Sequence, residues 1–108
     1  MPLEVNDRTR AVLDALEAAY TSSLMEMGEV AERHAKEYVP VRTGFLRDSI
    51  HHRMEGDRRV AVFTDTDYAA HVEFGTVSQR AQPYLRPTLN NHVTEYRDIF
   101  VKHVKSIE

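Results

Sequence analysis

"NDRTRAVLDALEAAYTSSLMEMGEVAERHAKEYVP", residues 6–40, sets Val12, Leu16, Tyr20, Leu24, Met27, Ala31, Ala35 and Tyr38 three or four positions apart. That interval is the period of an apolar stripe along a helix, so the stretch predicts one long helix from about Asn6 to Tyr38. Asn6 or Asp7 can cap its start, and Val39, held extended by Pro40, ends it. At 1.5 Å per residue such a helix is about 50 Å long, more than the width of a small domain. Part of it is therefore expected to project or to pack on a neighbour. Gly28 costs about 1 kcal/mol relative to Ala in a helix interior, which makes it the place for a kink.

Beyond "VPVRTG" the period changes. Ser49 to Glu55 and Arg59 to Thr64 read as strands around "EGDR", with Val60 and Val62 on one face and Ala61 and Phe63 on the other. A short helix follows from Tyr68 to Phe74, capped by Asp67 and ended at Gly75, whose missing Cβ permits a left-handed cap. After an irregular loop to about Pro83, Leu89, Val93, Tyr96, Phe100, Val104 and Ile107 predict a closing amphipathic helix with Pro87 in its first turn. The fold class is α+β: a long N-terminal helix, a small, mostly antiparallel sheet with a β-hairpin, a short helix and a C-terminal amphipathic helix. With 108 residues, the chain is expected to form a single domain over 1–108.

Composition removes several function classes. Hydrophobic residues make up 42% and charged ones 29%, as in an ordinary globular protein, and there is no cysteine for a disulfide or thiolate metal site. The N-terminus lacks a signal-type apolar core and no apolar run is long enough for a membrane span, so neither export nor a membrane partner is expected. Residues 1–40 carry four basic and eight acidic side chains, and residues 41–108 ten and nine. This balance gives no general attraction to nucleic acid, and no specific nucleic-acid partner is expected.

His71-Val72-Glu73 has the His-x-Glu of zinc deaminases but not the cysteines that complete their metal shell. His34, His51, His52, His71, His92 and His103 show no ligand spacing, and His51 and His52 point to opposite faces of a strand. Asp65-Thr66-Asp67 suits a turn or a cap better than a calcium loop. Ser22, Ser23, Ser49 and Ser78 lack a nucleophile elbow, so no catalytic residue, metal or cofactor is expected. Arg80 and Arg86 lie in a stretch free of acidic residues, and with Arg42 and Arg47 they suggest a positive patch facing an acidic surface. Reversing charge at Arg80 and Arg86 is expected to spare the fold and weaken assembly.

"VPVRTGFLRDSI", residues 39–50, and "YAAHVEFGTVSQRAQPYLRPTL", residues 68–89, together resemble the paired signatures of the small tail-component or neck protein family of long-tailed HK-type phages. Arg42 stands where that family often has an acidic residue, and His71 where an aromatic is common. The matching positions Thr43, Gly44, Leu46, Ser49, Ile50, Tyr68, Val72, Phe74, Gly75, Thr76, Pro83, Leu85 and Pro87 read as fold determinants, with Leu46, Ile50, Tyr68, Val72 and Phe74 as apolar anchors. Arg47, Glu73, Arg80 and Arg86 are candidates for polar contacts, within the subunit or across an interface.

The resemblance implies a non-enzymatic virion part, made in the host cytoplasm, that completes tails or joins them to heads. It implies a homo-oligomeric ring, formed alone or only on a template, that meets connector, head-closure or tail-tube proteins. A tail terminator is the near alternative. A small DNA-binding regulator is the alternative from another class, although neither long helix has a basic face at its N-terminal end.

Overall fold

The computed structural model describes residues 6–40, 44–66, 68–77 and 80–107. The expectations that rest on Arg42, Thr43, Asp67 and Ser78 lie outside these residues.

Helix α1 runs from Asp7–Tyr38. Asn6 is extended, and its side-chain oxygen accepts from the Thr9 amide at 3.0 Å, satisfying one of the donors that a helix start leaves unpaired. Val39 is extended too, at φ −68° and ψ 141°, so the helix ends at Tyr38, two residues before Pro40. The molecule is correspondingly long, 64 × 25 × 20 Å.

The buried side of α1 differs from the predicted stripe. Its buried residues are Ala19, Ser23, Gly28 and Ala35, while Val12, Leu13 and Leu16 stand exposed near its N-terminal end. Small residues are inside because neighbours approach the helix axis closely. A Cβ on Gly28 would lie 2.7 Å from a ring carbon of His52 and 2.7 Å from a methyl of Val60. The helix continues through Gly28 without interruption, so the glycine serves the crossing of the hairpin and not a break. The buried Ser23 hydroxyl donates back to the Tyr20 carbonyl at 2.7 Å, which satisfies it locally.

Strands β1 (His51–Met54) and β2 (Val60–Phe63) pair antiparallel, with His51 opposite Phe63 and Met54 opposite Val60. The Glu55 amide donates to the Arg59 carbonyl at 2.7 Å, and Gly56 takes φ 70° in the turn. The hairpin is fastened along α1: Glu32 accepts from His52 at 2.9 Å, and the Tyr20 hydroxyl donates to the Arg58 carbonyl at 3.3 Å.

Between α1 and β1 the turn at Gly44 is a single turn of helix, α2 (Gly44–Asp48), which seats Leu46 and Ile50 fully inside. They form the core with Ala35, Val39, Val72 and Tyr84, and Tyr68 and Leu85 pack against it. Ser49 donates to the Leu46 carbonyl and meets the Thr64 hydroxyl, fixing α2 to the end of β2.

Helix α3 (Ala69–Phe74) ends at Gly75, as expected, but with φ 80° and ψ 175°. That is an extended positive-φ conformation open essentially only to glycine, not the left-handed helical one. The closing helix is in two pieces, α4 (Leu85–Asn90) and α5 (Val93–Lys105). Asn91 and His92 divide them, and Leu89 and Val93, expected on the apolar stripe, are exposed beside the break. Tyr96 spans the break with a 2.7 Å hydrogen bond to the Thr88 carbonyl. Both α4 and α5 lie against α1, and Tyr20 meets Phe100 edge-on at 6.0 Å.

Candidate functional site

The segment from Tyr68 to Pro87 is organised by one carboxylate. Glu73, in the last turn of α3, is 3% exposed. Its Oε1 accepts from the Tyr84 amide at 3.0 Å and the Leu85 amide at 2.8 Å, and its Oε2 from the Arg86 amide at 3.2 Å. These are the first amides of α4, whose own cap residue, Tyr84, makes no side-chain capping bond. A residue eleven positions earlier thus does the work of a local cap, and its negative charge suits the positive end of the helix dipole.

Arg86 closes the arrangement from outside. Its Nε donates to Glu73 Oε2 at 2.8 Å, its Nη2 donates to the Glu73 carbonyl at 3.0 Å, and its guanidinium lies 5.2 Å over the Phe74 ring. Burial pushes the Glu73 carboxyl up, but the Leu85 and Tyr84 amides, with Arg86, outweigh it and hold the group below its ordinary value. Burial, then the nearby Glu73 charge, pushes the Tyr84 hydroxyl up to about 12. The Gln82 amide donates to the Val72 carbonyl at 2.8 Å, so the loop after Gly75 is tied at its base.

Of the candidate polar contacts, Glu73 and Arg86 are engaged within the subunit. Arg86 sits in the first turn of α4 and not in a loop, so reversing its charge would place a carboxylate against buried Glu73; the expectation that this spares the fold is corrected. Arg47 is exposed beside Asp48 at 3.5 Å, and Arg80 is exposed. Among the motif residues, Leu46, Ile50 and Val72 are buried, Ser49, Tyr68, Leu85 and Pro87 are half-buried, and Thr76 and Pro83 are exposed. Phe74, expected as an apolar anchor, is an exposed ring under Arg86, 66% accessible.

Two further apolar features among the described residues are open to solvent. One is the N-terminal end of α1, with Val12 and Leu16 one turn apart on the same face. The other is a groove of about 380 Å³ between α1, β2 and the α4–α5 pair, lined by Met27, Ala31, Val60, Val62, Leu89 and Tyr96. Elsewhere the structure gathers residues that are scattered in sequence. His34 of α1 stacks on His92, ring centroids 3.6 Å apart and planes at 13°, and Glu95 reaches His34 Nε2 at 2.6 Å and His92 Nδ1 at 3.4 Å. The only local hint of this cluster is the His92-x-x-Glu95 spacing, three residues apart at the start of α5.

Residues 4–75 match the family model described as "Bacteriophage HK97-gp10, putative tail-component". The chain belongs to this HK97-gp10-like family. The matched range holds α1, α2, the hairpin and α3 through Gly75, while the Pro83 to Pro87 segment lies beyond it. Among curated proteins and among solved structures, none matches. Membership makes the chain a bacteriophage tail-component structural protein, and a tail component is part of the virion. Among the described residues, no helix is long and apolar enough to cross a membrane.

Proposed function

We propose that this HK97-gp10-like chain is a non-enzymatic part of the head-tail junction, acting in tail completion or head-tail joining as a ring of identical subunits. The observation that carries the assembly reading is the N-terminal end of α1, where Val12, Leu13 and Leu16 face solvent on a helix that outruns its own core. Clustered aliphatic exposure on a small soluble chain marks a contact surface. The α1 end and the apolar groove are different surfaces of one molecule, and contact between unlike patches of identical subunits is the kind that closes into rings. Connector, head-closure or tail-tube proteins are the partners at the two faces of such a ring, and the ring forms either alone or on their template.

The test is electron microscopy of lysates from a phage or prophage with this gene deleted and then restored. Filled heads beside unattached tails, cured by restoration, support the proposal. Overlong tails reassign the chain as a tail terminator, and normal infectious particles overturn both.

A further inference from the structure

The His34–His92–Glu95 cluster has a hydrogen-bonding shortfall at one ring nitrogen. When neutral His34 donates Nε2–H to Glu95 Oε1 at 2.6 Å, its Nδ1 is left as a bare lone pair. That nitrogen is buried without a hydrogen-bond partner among the described residues, and the nearest opposite group is the Glu37 carboxylate at 3.6 Å. Two acceptors thus face each other, the nitrogen shut off from water and the carboxylate largely exposed. A cation at Nε2 removes the conflict: the ring proton moves to Nδ1, where it points at Glu37, the carboxylate–histidine arrangement that commonly backs a metal ligand.

His92 is supported in the same way. Its Nε2 lies 2.9 Å from the Tyr38 hydroxyl, which the Asn91 side-chain amide also approaches at 3.4 Å. With Nε2–H donating to the Tyr38 oxygen, His92 Nδ1 presents a lone pair toward Glu95. We propose that His34 Nε2, His92 Nδ1 and a Glu95 carboxylate oxygen form a binding site for a divalent cation of the zinc class. Two imidazoles and a carboxylate suit this borderline-soft class, not calcium or magnesium.

One ligand atom from each of the three residues lies within 4.8 Å of the others. Ligands at about 2.0–2.1 Å from a tetrahedral ion stand about 3.3 Å apart, so the 2.6 Å His34–Glu95 contact must open to admit the ion, while the 3.4 Å His92–Glu95 spacing already suits it. The rings, stacked nearly parallel, must also tilt apart to aim both lone pairs at one ion. Glu95 is 42% exposed, which leaves the remaining coordination positions to water. A cation held here pins the start of α5 to α1.

The test uses the full chain, stripped with EDTA, dialysed and titrated at pH 7.5 with zinc chloride by calorimetry and with cobalt chloride by visible absorption. Expected are one saturable equivalent of zinc, cobalt d–d bands, and an unfolding midpoint raised by about 5 °C at saturating zinc. His92→Ala should lose at least tenfold in affinity, and Glu95→Gln, which keeps side-chain shape if the alanine variant misfolds, should do the same. His71→Ala, at an exposed position away from the cluster, should bind normally. The proposal fails if no saturable binding is seen, or if binding survives unchanged in the folded cluster variants.

Discussion

The two ends of α1 obey opposite rules. From Ala19 to Ala35 its inward face is built of small residues, Ala19, Ser23, Gly28 and Ala35, and the hairpin and the α4–α5 pair press close against it. From Asp7 to Ala18 the helix carries its larger aliphatics, Val12, Leu13 and Leu16, in the open. A residue's size therefore does not report its burial here. The enclosed half needs small side chains because its neighbours are already in place. The other half keeps large ones at 41–53% exposure, the surface on which the proposed subunit contact rests.

The largest expected effect breaks the enclosed region at its fastening. Glu73→Ala leaves the Tyr84, Leu85 and Arg86 amides without their acceptor and Arg86 without its counter-charge. Unsatisfied buried donors cost about 1–3 kcal/mol each, and partial hydration of the Arg86 side brings the expected total to about 3 kcal/mol. Urea unfolding measures it; a loss below about 1 kcal/mol would mean that α4 is held by packing alone.

Gly28→Ala probes the close crossing itself. Helix propensity favours alanine by about 1 kcal/mol, whereas a Cβ placed 2.7 Å from His52 and Val60 overpacks the contact, a fault that costs about 1–3 kcal/mol. The crossing should win, with a net destabilisation of about 1 kcal/mol by thermal or urea denaturation. A stabilised variant would show that the hairpin does not rest on the helix there.

How far these features were legible depends on whether their cause is local. Asn6 and Pro40 bound α1 because a cap and a proline act on adjacent backbone, and Gly75 ended α3 because its φ of 80° belongs to glycine. The break at Asn91–His92 was hidden because the apolar period of Leu89, Val93 and Tyr96 runs straight through it. Glu73 was legible as a polar contact but not as the cap of α4, since its partners lie eleven to thirteen residues on. The His34–His92 pair was hidden for the same reason, as nothing local joins residues 34 and 92.

Acid should loosen the enclosed region first. The folded-state pKa of Glu73 lies below its ordinary value of 4.5, so its contribution is present above about that pH and fades as pH falls through the lowered value. Glu26 is lowered by hydrogen bonds from Lys102 and His103 and Glu95 by its bond from His34, and both have the same sign. Stability should therefore fall below about pH 4.5, and Glu73→Gln, weaker at neutral pH, should show a shallower fall. Parallel pH profiles for the two proteins, by circular dichroism melts, would remove Glu73 from this account.

The smallest effect on stability carries the most about assembly. Val12 and Leu16 are 53% and 41% exposed, so Val12→Glu with Leu16→Glu removes little burial from the isolated chain. Exposed substitutions usually stay within about 0.5 kcal/mol, and the pair should leave the unfolding midpoint within a few degrees of the parent. In an assembled particle the same two carboxylates would be driven into an apolar contact, where an unpaired charge is costly. Gene restoration with the double variant should then fail to yield joined particles although the protein is folded and abundant. If the variant unfolds, the α1 end belongs to the subunit's own core and the contrast between its halves dissolves. If particles form normally from the folded variant, the exposed aliphatics are not an assembly contact, and the proposed ring is left only the apolar groove beside Leu89 to rest on.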